Sequence, residues 1–446
     1  MRFRNTYIVV LIFLAFGAYV YFYEILGEAG RKRVEEERDR LYLFENYDIV
    51  KLQIIRADTT IECIKLDDGW MVNLPVIYKG DDFNIEELID TFRKAKIDLT
   101  VAENAENIER FGLGSNEIKL TVTVTGGNEY SVLIGANNPT ESHVYARFPE
   151  QSNVFLTALM LKDRVMAPVL YFRDKTILDF EKDNTNKIVF HKKDKEIIIE
   201  KKDDNNWHVT KPIDWPADKN VIELMLNRVL VAKITNFVDE NSTNLEKYGL
   251  QEPENWIEIF DGLKHTKKTL FFGNFNAGNF FTRDIEKNPI FEVDSNTVMQ
   301  LTPNLTNLRD KKIVDYDIDI IDVLKITYAD SLYVFHKEDS TGLWYMTAPK
   351  RQKAQFQKIN GIIKDIFWTL AEDFIDNVKN FKQYGLDPPV GDFVMLSNGV
   401  EVAHVQIGKA IGRHRYFYNV IKNQLYMVRS GLYPLIVVPV NGLLEK

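Results

Sequence analysis

The sequence predicts an α+β protein, in which an N-terminal transmembrane helix precedes three tandem homologous domains, each an antiparallel sheet with one principal packed helix. A tryptophan followed five residues later by a proline recurs at a constant interval of 137 residues, and two other short motifs recur in register with it. This interval is too long for a solenoid unit of roughly 20–50 residues and suits a small domain. Within each copy, apolar residues alternate between a period of 2 and a period of 3.6, which indicates strands and helices.

The recurring residues form three sets of markers. The tryptophan–proline pairs are Trp70 and Pro75, Trp207 and Pro212, and Trp344 and Pro349. The aromatic-Gly-Leu triplets are Phe111-Gly112-Leu113, Tyr248-Gly249-Leu250 and Tyr384-Gly385-Leu386. The apolar-Gly pairs are Ile134-Gly135, Phe272-Gly273 and Ile407-Gly408. The intervals differ by one or two residues because insertions fall between markers, where surface loops tolerate them.

Each copy is predicted to begin with two strands and to continue through the Trp–Pro segment into a helix. In the first copy the strand-like runs are Ile49 to Ile55 and Thr60 to Leu66. The proline disfavours α geometry in the residue before it, so we expect it to end the strand that precedes the helix. Two copies show the apolar stripe of an amphipathic helix clearly. Its residues are Ile85, Leu88, Ile89 and Phe92 in the first copy, and Ile359, Ile362, Ile363, Ile366 and Phe367 in the third.

The second half of each copy reads as a β-meander. Ile118 to Thr125 and Glu129 to Ile134 flank Gly126-Gly127, which is a strong hairpin signal. The glycine of the aromatic-Gly-Leu triplet suits a left-handed helix cap. The shared markers are therefore interpreted as packing and turn residues.

A fourth motif closes the first two copies. Phe172-Arg173-Asp174-Lys175 and Leu308-Arg309-Asp310-Lys311 are 136 residues apart, and the corresponding position in the third copy is near residue 445, where the chain ends. The motif was found only where another copy follows, so we assign Arg173, Asp174, Arg309 and Asp310 to the domain junctions. The hypothesis is that the two arginines bridge to the backbone or to carboxylates of the adjacent domain.

The markers divide the chain into five segments. We expect a cytoplasmic tip and transmembrane helix at 1–27, a polar juxtamembrane helix at 28–46, and repeat domains at 47–180, 181–316 and 317–446.

The N-terminal helix is predicted from 17 uncharged residues, Tyr7 to Tyr23, preceded by Arg2 and Arg4. This length is near the lower limit of roughly 17–25 residues for a spanning helix. A cleaved signal peptide is the alternative, but no small-x-small site closely follows the apolar run and no cysteine is present for a lipid anchor. We therefore favour an uncleaved signal anchor. Its expected membrane-anchoring aromatic residues are Tyr7, Phe13, Phe16, Tyr19 and Tyr23.

The orientation of this helix is not decided by charge, since Arg2 and Arg4 are opposed by basic residues between Arg31 and Arg38. We favour a single-pass protein of the inner membrane with a cytoplasmic N-terminus and most of the chain in the periplasm.

Composition narrows the function classes. The net charge of −9 disfavours nucleic-acid binding, which needs a basic footprint. Cys63 is the only cysteine, so no intramolecular disulfide forms, and the seven histidines include no zinc-binding spacing. No catalytic motif is recognised, and neither an enzymatic activity nor a cofactor is expected.

The ordered set of Trp-x-x-x-x-Pro, an amphipathic helix, Tyr-Gly-Leu with a following proline, and a strand ending in apolar-Gly resembles the bacterial family called domain of unknown function 4340. The first copy departs from the pattern, with Phe111 for the tyrosine and Ser115-Asn116 where the proline would come. The resemblance covers nearly everything from about residue 47 onward. It implies a single-span, membrane-anchored extracytoplasmic protein associated with ABC-2 or gliding-motility-type transporters, and it supplies no catalytic residues.

The resulting expectation is a non-enzymatic accessory or scaffold subunit of an ABC-transporter-like membrane complex, with the bilayer and integral-membrane transporter subunits as partners. The alternative is an envelope glycan- or lipid-binding protein. In that case exposed aromatic residues would act as stacking platforms, and the candidates are Phe280, Phe281, Tyr416, Phe417 and Tyr418. The favoured interpretation of these five residues is that they face inward from strands.

Overall fold

Three antiparallel sheets of nine strands each, with several helices, make up the fold of the computed structural model. The structure describes residues 3–21, 39–44, 49–203, 206–241, 243–328 and 331–445. The predicted α+β class and the threefold repetition of an antiparallel sheet are confirmed.

The first repeat contains the first nine strands and three helices. The strands are β1 Ile49–Ile55, β2 Thr60–Leu66, β3 Gly69–Leu74, β4 Tyr78–Lys79, β5 Leu99–Ala102, β6 Ile118–Val124, β7 Glu129–Asn137, β8 His143–Arg147 and β9 Val154–Ala158. After the N-terminal helix α1 (Phe3–Tyr19), the helices are α2 Asp82–Lys94, α3 Leu159–Val165 and α4 Val169–Phe172.

The second repeat has the same elements in the same order. Its strands are β10 Thr185–Lys192, β11 Lys195–Lys201, β12 Trp207–Lys211, β13 Trp215–Pro216, β14 Asn236–Asp239, β15 Asn255–Asp261, β16 Thr266–Asn276, β17 Asn279–Asp284 and β18 Ile290–Asp294. Its helices are α5 Lys219–Val231, α6 Ser295–Leu301 and α7 Leu305–Leu308.

The third repeat keeps the order of the nine strands and differs mainly after its last strand. Its strands are β19 Val323–Tyr328, β20 Ser331–Lys337, β21 Trp344–Ala348, β22 Gln352–Lys353, β23 Asp373–Ile375, β24 Gly391–Ser397, β25 Val400–Ile411, β26 His414–Asn419 and β27 Gln424–Arg429. Its helices are α8 Phe356–Phe367 and α9 Tyr433–Ile436. Short 3₁₀ helices include Glu109–Phe111, Glu246–Tyr248 and Phe381–Tyr384, one per repeat.

All three sheets share one strand order. The first reads β4-β3-β2-β1-β6-β7-β8-β9-β5, and the other two repeat it with the corresponding strands. The fifth strand of each repeat therefore lies at one edge, beside the ninth, and the short fourth strand lies at the opposite edge. The predicted Gly-Gly hairpin is confirmed, because β6 and β7 pair from Ile118–Ile134 to Thr123–Glu129.

The principal helices bury the predicted apolar stripes. Helix α2 buries Ile85, Leu88, Ile89 and Phe92, and helix α8 buries Ile359, Ile362, Ile363, Ile366 and Phe367. In the first repeat these side chains join Leu52, Ile54 and Trp70 of the sheet in one apolar core. A pair of short helices precedes each junction motif, α3 with α4 and α6 with α7.

The chain divides into two compact units. One contains Met1–Ile177, Lys233–Thr243 and Asn288–Val293, and thus combines the first repeat with β14 and most of β18. The other contains Leu178–Ala232, Asn244–Lys287 and Asp294–Lys446.

The predicted N-terminal transmembrane helix is not found: within the described ranges, no helix is long and apolar enough to cross a bilayer. Helix α1 has 17 residues, but it begins at Phe3 and ends at Tyr19. It therefore includes the charged Arg4, and its uncharged part, residues 5–19, is shorter than the predicted run. Tyr23 lies outside the described residues, as do the rest of 22–27 and residues 1–2.

The polar helix expected over 28–46 is wrong for its described part, 39–44. These residues are irregular and bond to the chain after helix α2: Leu41 N–H donates to the Ala95 carbonyl at 2.9 Å, and Ile97 N–H donates to the Asp39 carbonyl at 2.8 Å. Tyr42 packs its ring against Phe92, with centroids 5.9 Å apart. Leu41 is thus part of the first core, whereas Leu43 is exposed. Residues 28–38 and 45–46 lie outside the described residues.

Candidate functional site

The signature tryptophans lie in the cores of their repeats. Trp70, Trp207 and Trp344 are all buried. The indole Nε1 of Trp344 donates to Asn360 at 3.1 Å, and that of Trp70 reaches Glu86 at 3.4 Å.

The second repeat departs from this pairing. Glu223 holds the position equivalent to Glu86 and Asn360, but it forms an ion pair with Lys182 at 2.7 Å. Trp207 Nε1 is buried without a hydrogen-bond partner among the described residues. The shared role of the three tryptophans is therefore burial of the ring, since the hydrogen bond is not kept in every copy.

The two glycine motifs form one structural feature. Gly112, Gly249 and Gly385 have φ of 67°, 68° and 69° and cap the short 3₁₀ helices, a left-handed conformation that favours glycine. The carbonyl oxygens of Phe111, Tyr248 and Tyr384 then lie where a side chain on Gly135, Gly273 or Gly408 would stand. The signature prolines Pro75, Pro212 and Pro349 each follow a cis peptide bond.

The arginine of the first junction motif forms a buried ion pair with Glu240 between two aromatic rings. We call these four residues the first clamp: Arg173, Glu240, Tyr78 and Phe237. All four residues belong to one compact unit. Arg173 is 3% exposed, and its Nη1 and Nη2 donate to the two carboxylate oxygens of Glu240 at 2.6 and 2.9 Å. This is the bidentate geometry in which guanidinium–carboxylate pairs are strongest.

Two aromatic rings enclose the Arg173 guanidinium. Its central carbon lies 4.4 Å from the ring centroid of Tyr78 and 3.3 Å from that of Phe237. The two rings contact each other edge to face, with centroids 5.0 Å apart. Cation–π attraction and the carboxylate together compensate the loss of water around the buried charge.

The second clamp repeats this arrangement in the other unit and comprises Arg309, Asp376, Trp215, Phe374 and Gln424. Arg309 is 1% exposed, and its central carbon lies 4.7 Å from Trp215 and 3.7 Å from Phe374. Its Nη1 donates to both oxygens of Asp376 at 3.0 and 3.1 Å, and Nη2 donates to Gln424 Oε1 at 3.2 Å. Burial lowers the pKa of Arg309, and Asp376 acts in the opposite direction.

Two residues distinguish the second clamp from the first. Phe237 pairs with Phe291 as Phe374 pairs with Tyr426, so Pro289 stands where the third repeat has Gln424. Proline cannot accept from the guanidinium through a side chain, so the Gln424 bond has no counterpart at Arg173. Tyr426 adds a buried hydroxyl that has no hydrogen-bond partner within the described chain, and burial raises its pKa.

The aspartates of the junction motifs have a local role. Asp174 Oδ1 accepts from the backbone N–H and the hydroxyl of Thr176 at 3.0 and 2.7 Å. Asp310 Oδ1 accepts from the Lys312 N–H at 3.1 Å, and the Asp310 carbonyl accepts from Trp215 Nε1 at 3.1 Å. They fix the turn that follows each clamp arginine, while the arginines make the longer-range contacts.

The prediction that the third copy lacks the junction motif is wrong for the backbone, which is present. It is correct for the arginine, which the third copy does not have. The Gln355 N–H donates to the Leu443 carbonyl, as Asp81 and Asp218 donate to Phe172 and Leu308. Leu444 bridges to Ala354, as Arg173 and Arg309 bridge to Gly80 and Ala217. Gln352 pairs with Met346 at the position of Tyr78 and Trp215. The third repeat thus keeps the strand but has leucine and glutamine at the clamp positions.

The proposed aromatic stacking platforms are wrong for three of five residues. Tyr416, Phe417 and Tyr418 are buried, and Phe417 belongs to the main core of the third repeat. The alternating side chains of β26 point into two apolar clusters instead of into solvent. Phe280 and Phe281 are half-buried and contact Phe275 and Tyr248.

Sequence reasoning identified the clamp arginines but missed their partners. The signal was present, because Tyr78 and Trp215, and Phe237 and Phe374, are each 137 residues apart. An acidic residue followed by asparagine also recurs, as Glu103-Asn104, Glu240-Asn241 and Asp376-Asn377.

Side chains suited to metal binding do not gather in the described part of the chain, where no group of three or more His, Cys, Asp or Glu could hold an ion.

Comparison with known families identifies the chain. The model of a family described as "Domain of unknown function (DUF4340)" matches residues 70–206 and 207–389. The chain belongs to this family. The two matches begin at Trp70 and Trp207, and the second extends past Trp344 into the third repeat. No curated protein matches the chain.

Proposed function

We propose that this DUF4340 protein is a non-enzymatic, membrane-anchored accessory subunit of an ABC-transporter-like complex, with its three repeats on the extracytoplasmic side. The observation that carries the proposal is that the recurring residues have structural roles. The tryptophans fill cores, the glycines admit a crossing carbonyl, and the clamp arginines connect one repeat to residues of the next. Residues kept in all copies thus serve architecture, which suits a protein that presents surfaces to partners.

The membrane anchor in this proposal is the N-terminal segment that contains α1. The described side chains of this helix are apolar and exposed: Phe13 is 78%, Phe16 66% and Tyr19 56% accessible. Contiguous exposed apolar surface of this kind is stable when lipid or protein covers it. The side chain of Tyr7 is outside the described set.

The transporter partner rests on the family resemblance, which associates such proteins with ABC-2 and gliding-motility-type systems. The acidic net charge of the chain supports a protein or membrane partner over nucleic acid.

The test is co-purification of the tagged full-length chain from native membranes in mild detergent, followed by mass spectrometry. We expect the chain to resist alkaline carbonate extraction and to bring down integral-membrane subunits with their nucleotide-binding partner. The matched control combines Phe13→Asp and Phe16→Asp, which should release the chain from the membrane without touching any repeat. Recovery of the intact chain alone would contradict the accessory role, and carbonate release of the unmutated chain would contradict the anchor.

A further inference from the structure

A surface cavity of about 480 Å³ lies beside the second clamp. It lies within one compact unit and is lined by Asp214, Trp215, Arg309, Asn377, Lys379 and Gln424, among others. Cavities that hold small ligands measure roughly 300–1,000 Å³. The volume therefore suits one or two sugar-sized rings.

The lining combines hydrogen-bonding groups without a net charge. Among the lining residues, two carboxylates (Asp214 and Asp376) equal two cations (Arg309 and Lys379) in number, and Asp214 is held by His208 at 3.1 Å. The carboxamides of Asn377, Asn423 and Gln424 complete the polar groups. Carboxamides offer both donors and acceptors on one planar group. A ligand that fits this surface must itself carry many donors and acceptors and no net charge.

Several of these polar groups are available. The Asn377 side chain and Lys379 Nζ are both exposed and have no intramolecular hydrogen bond or ion pair within the described residues. Gln424 is instead committed within the protein, since its Oε1 accepts from Arg309 and its Nε2 donates to the carbonyls of Ile375 and Leu425. Unpaired polar groups on a concave surface favour a polar ligand over an apolar one.

The first clamp lacks the same surface. Ile77 stands where the second clamp has Asp214, because Tyr78 and Trp215 occupy the same register position, and Pro289 stands in place of Gln424. These replacements remove a carboxylate and a carboxamide. The chemistry of the cavity is thus particular to the second clamp.

We propose that this cavity binds a neutral saccharide. Vicinal hydroxyls, each a donor and an acceptor, match the carboxamides of Asn377 and Asn423 and the carboxylate of Asp214. Ile213, Ile375 and Val378 supply apolar surface for the C–H face of a sugar ring. An anionic ligand is disfavoured because Asp376 already neutralises Arg309. This site is separate from the accessory role proposed above.

The test uses the full-length chain in a detergent without a sugar headgroup, first on a glycan array and then by calorimetric titration of the best neutral ligand. Asn377→Gly removes one ligand group without strain, since Asn377 has φ of 57°. Asn104→Gly is the matched control, because Asn104 follows the equivalent acidic residue of the first repeat and has φ of 56°. Lys379→Ala is an independent second variant.

We expect a neutral glycan to bind and its affinity to fall about tenfold in Asn377→Gly and in Lys379→Ala, with Asn104→Gly unchanged. Absence of any neutral glycan from the array hits would overturn the proposal. So would unchanged affinity in both cavity variants, or a preference for acidic glycans or for extended peptides over neutral ones.

Discussion

Arg309 bonds to Asp376 through a single nitrogen, Nη1, at 3.0 and 3.1 Å, whereas Arg173 bonds to Glu240 through both of its terminal nitrogens. The shorter aspartate brings both oxygens to one nitrogen and leaves Nη2 for Gln424. Both clamps therefore bury an arginine between two aromatic rings, but they use different hydrogen-bond acceptors to stabilise it.

Replacing Arg309 with leucine, the residue that the third repeat has at this position, should destabilise the protein by about 2 kcal/mol. Gln424 Oε1 would lose its donor and Asp376 its counterion, but the cost at Asp376 is moderated because this side chain is 34% exposed. Chemical denaturation followed by tryptophan fluorescence measures the change. Arg429→Leu is the control, since Arg429 is 80% exposed and such surface pairs contribute about 0–1 kcal/mol. If both variants lower the free energy of unfolding equally, the buried Arg309 contributes no more to stability than an exposed arginine does.

Tyr426→Phe should leave stability unchanged or raise it by about 1 kcal/mol, because the buried hydroxyl has no partner among the described residues. Phe291 already fills the equivalent position. Tyr418→Phe should instead destabilise by about 1 kcal/mol, since the Tyr418 hydroxyl donates to Asn423 at 2.6 Å. Thermal unfolding of both variants provides the comparison. A loss of stability in Tyr426→Phe would mean that the hydroxyl is satisfied in solution.

Gly273→Ala should destabilise the second repeat by about 1–3 kcal/mol, the usual cost of overpacking. The new methyl group would meet the Tyr248 carbonyl, which belongs to the backbone and cannot turn away. Gly361→Ala tests the same change in helix α8, where no atom lies within 4 Å of the added carbon. We expect Gly361→Ala to stabilise by up to about 1 kcal/mol, because alanine favours a helix. A tolerated alanine at 273 would refute the proposed role of the apolar-Gly marker.

His404 should make stability depend on pH. Burial lowers the pKa of His404, but hydrogen bonds and charge interactions with Asp392 and Glu401, at 2.8 and 3.1 Å, outweigh it and raise the pKa above its usual value. Protonated His404 therefore stabilises the folded state below the unfolded pKa of about 6.5, and this stability is lost as pH rises through the raised folded pKa. The unfolding midpoint should thus fall more between pH 5.5 and 8.5 in the unmutated chain than in His404→Gln. Parallel pH profiles would contradict the prediction, because they would show that folding does not raise the pKa of His404.

Local sequence patterns predict the repeated strands, turns and helices, but they do not predict which of these elements contact each other. The stripe from Ile85 to Phe92 and the turn at Gly126-Gly127 are encoded within a few residues of chain, so the sequence predicts them directly. The place of β5 at the far edge of its sheet, beside β9, depends on packing between residues more than fifty positions apart. The clamps depend on the same kind of contact, since 67 residues separate Arg173 from Glu240. The charged residues around Leu41 and Tyr42 predict a polar helix, but in the structure Leu41 bonds to Ala95 and Tyr42 packs against Phe92.

Leu444 and Gln352 occupy the clamp positions of the third repeat, so changing them is a way to control how many repeats can be joined in one chain. A further copy fused behind the third would find no clamp arginine for the aromatic residue of its fifth strand. The added copy would therefore lack the contact that joins the first three repeats. Installing Leu444→Arg with Gln352→Trp, and supplying a phenylalanine and a carboxylate from the added copy, would recreate the missing joint. Synthetic chains of four or five copies would then be built by transplanting side chains, without designing a new contact surface.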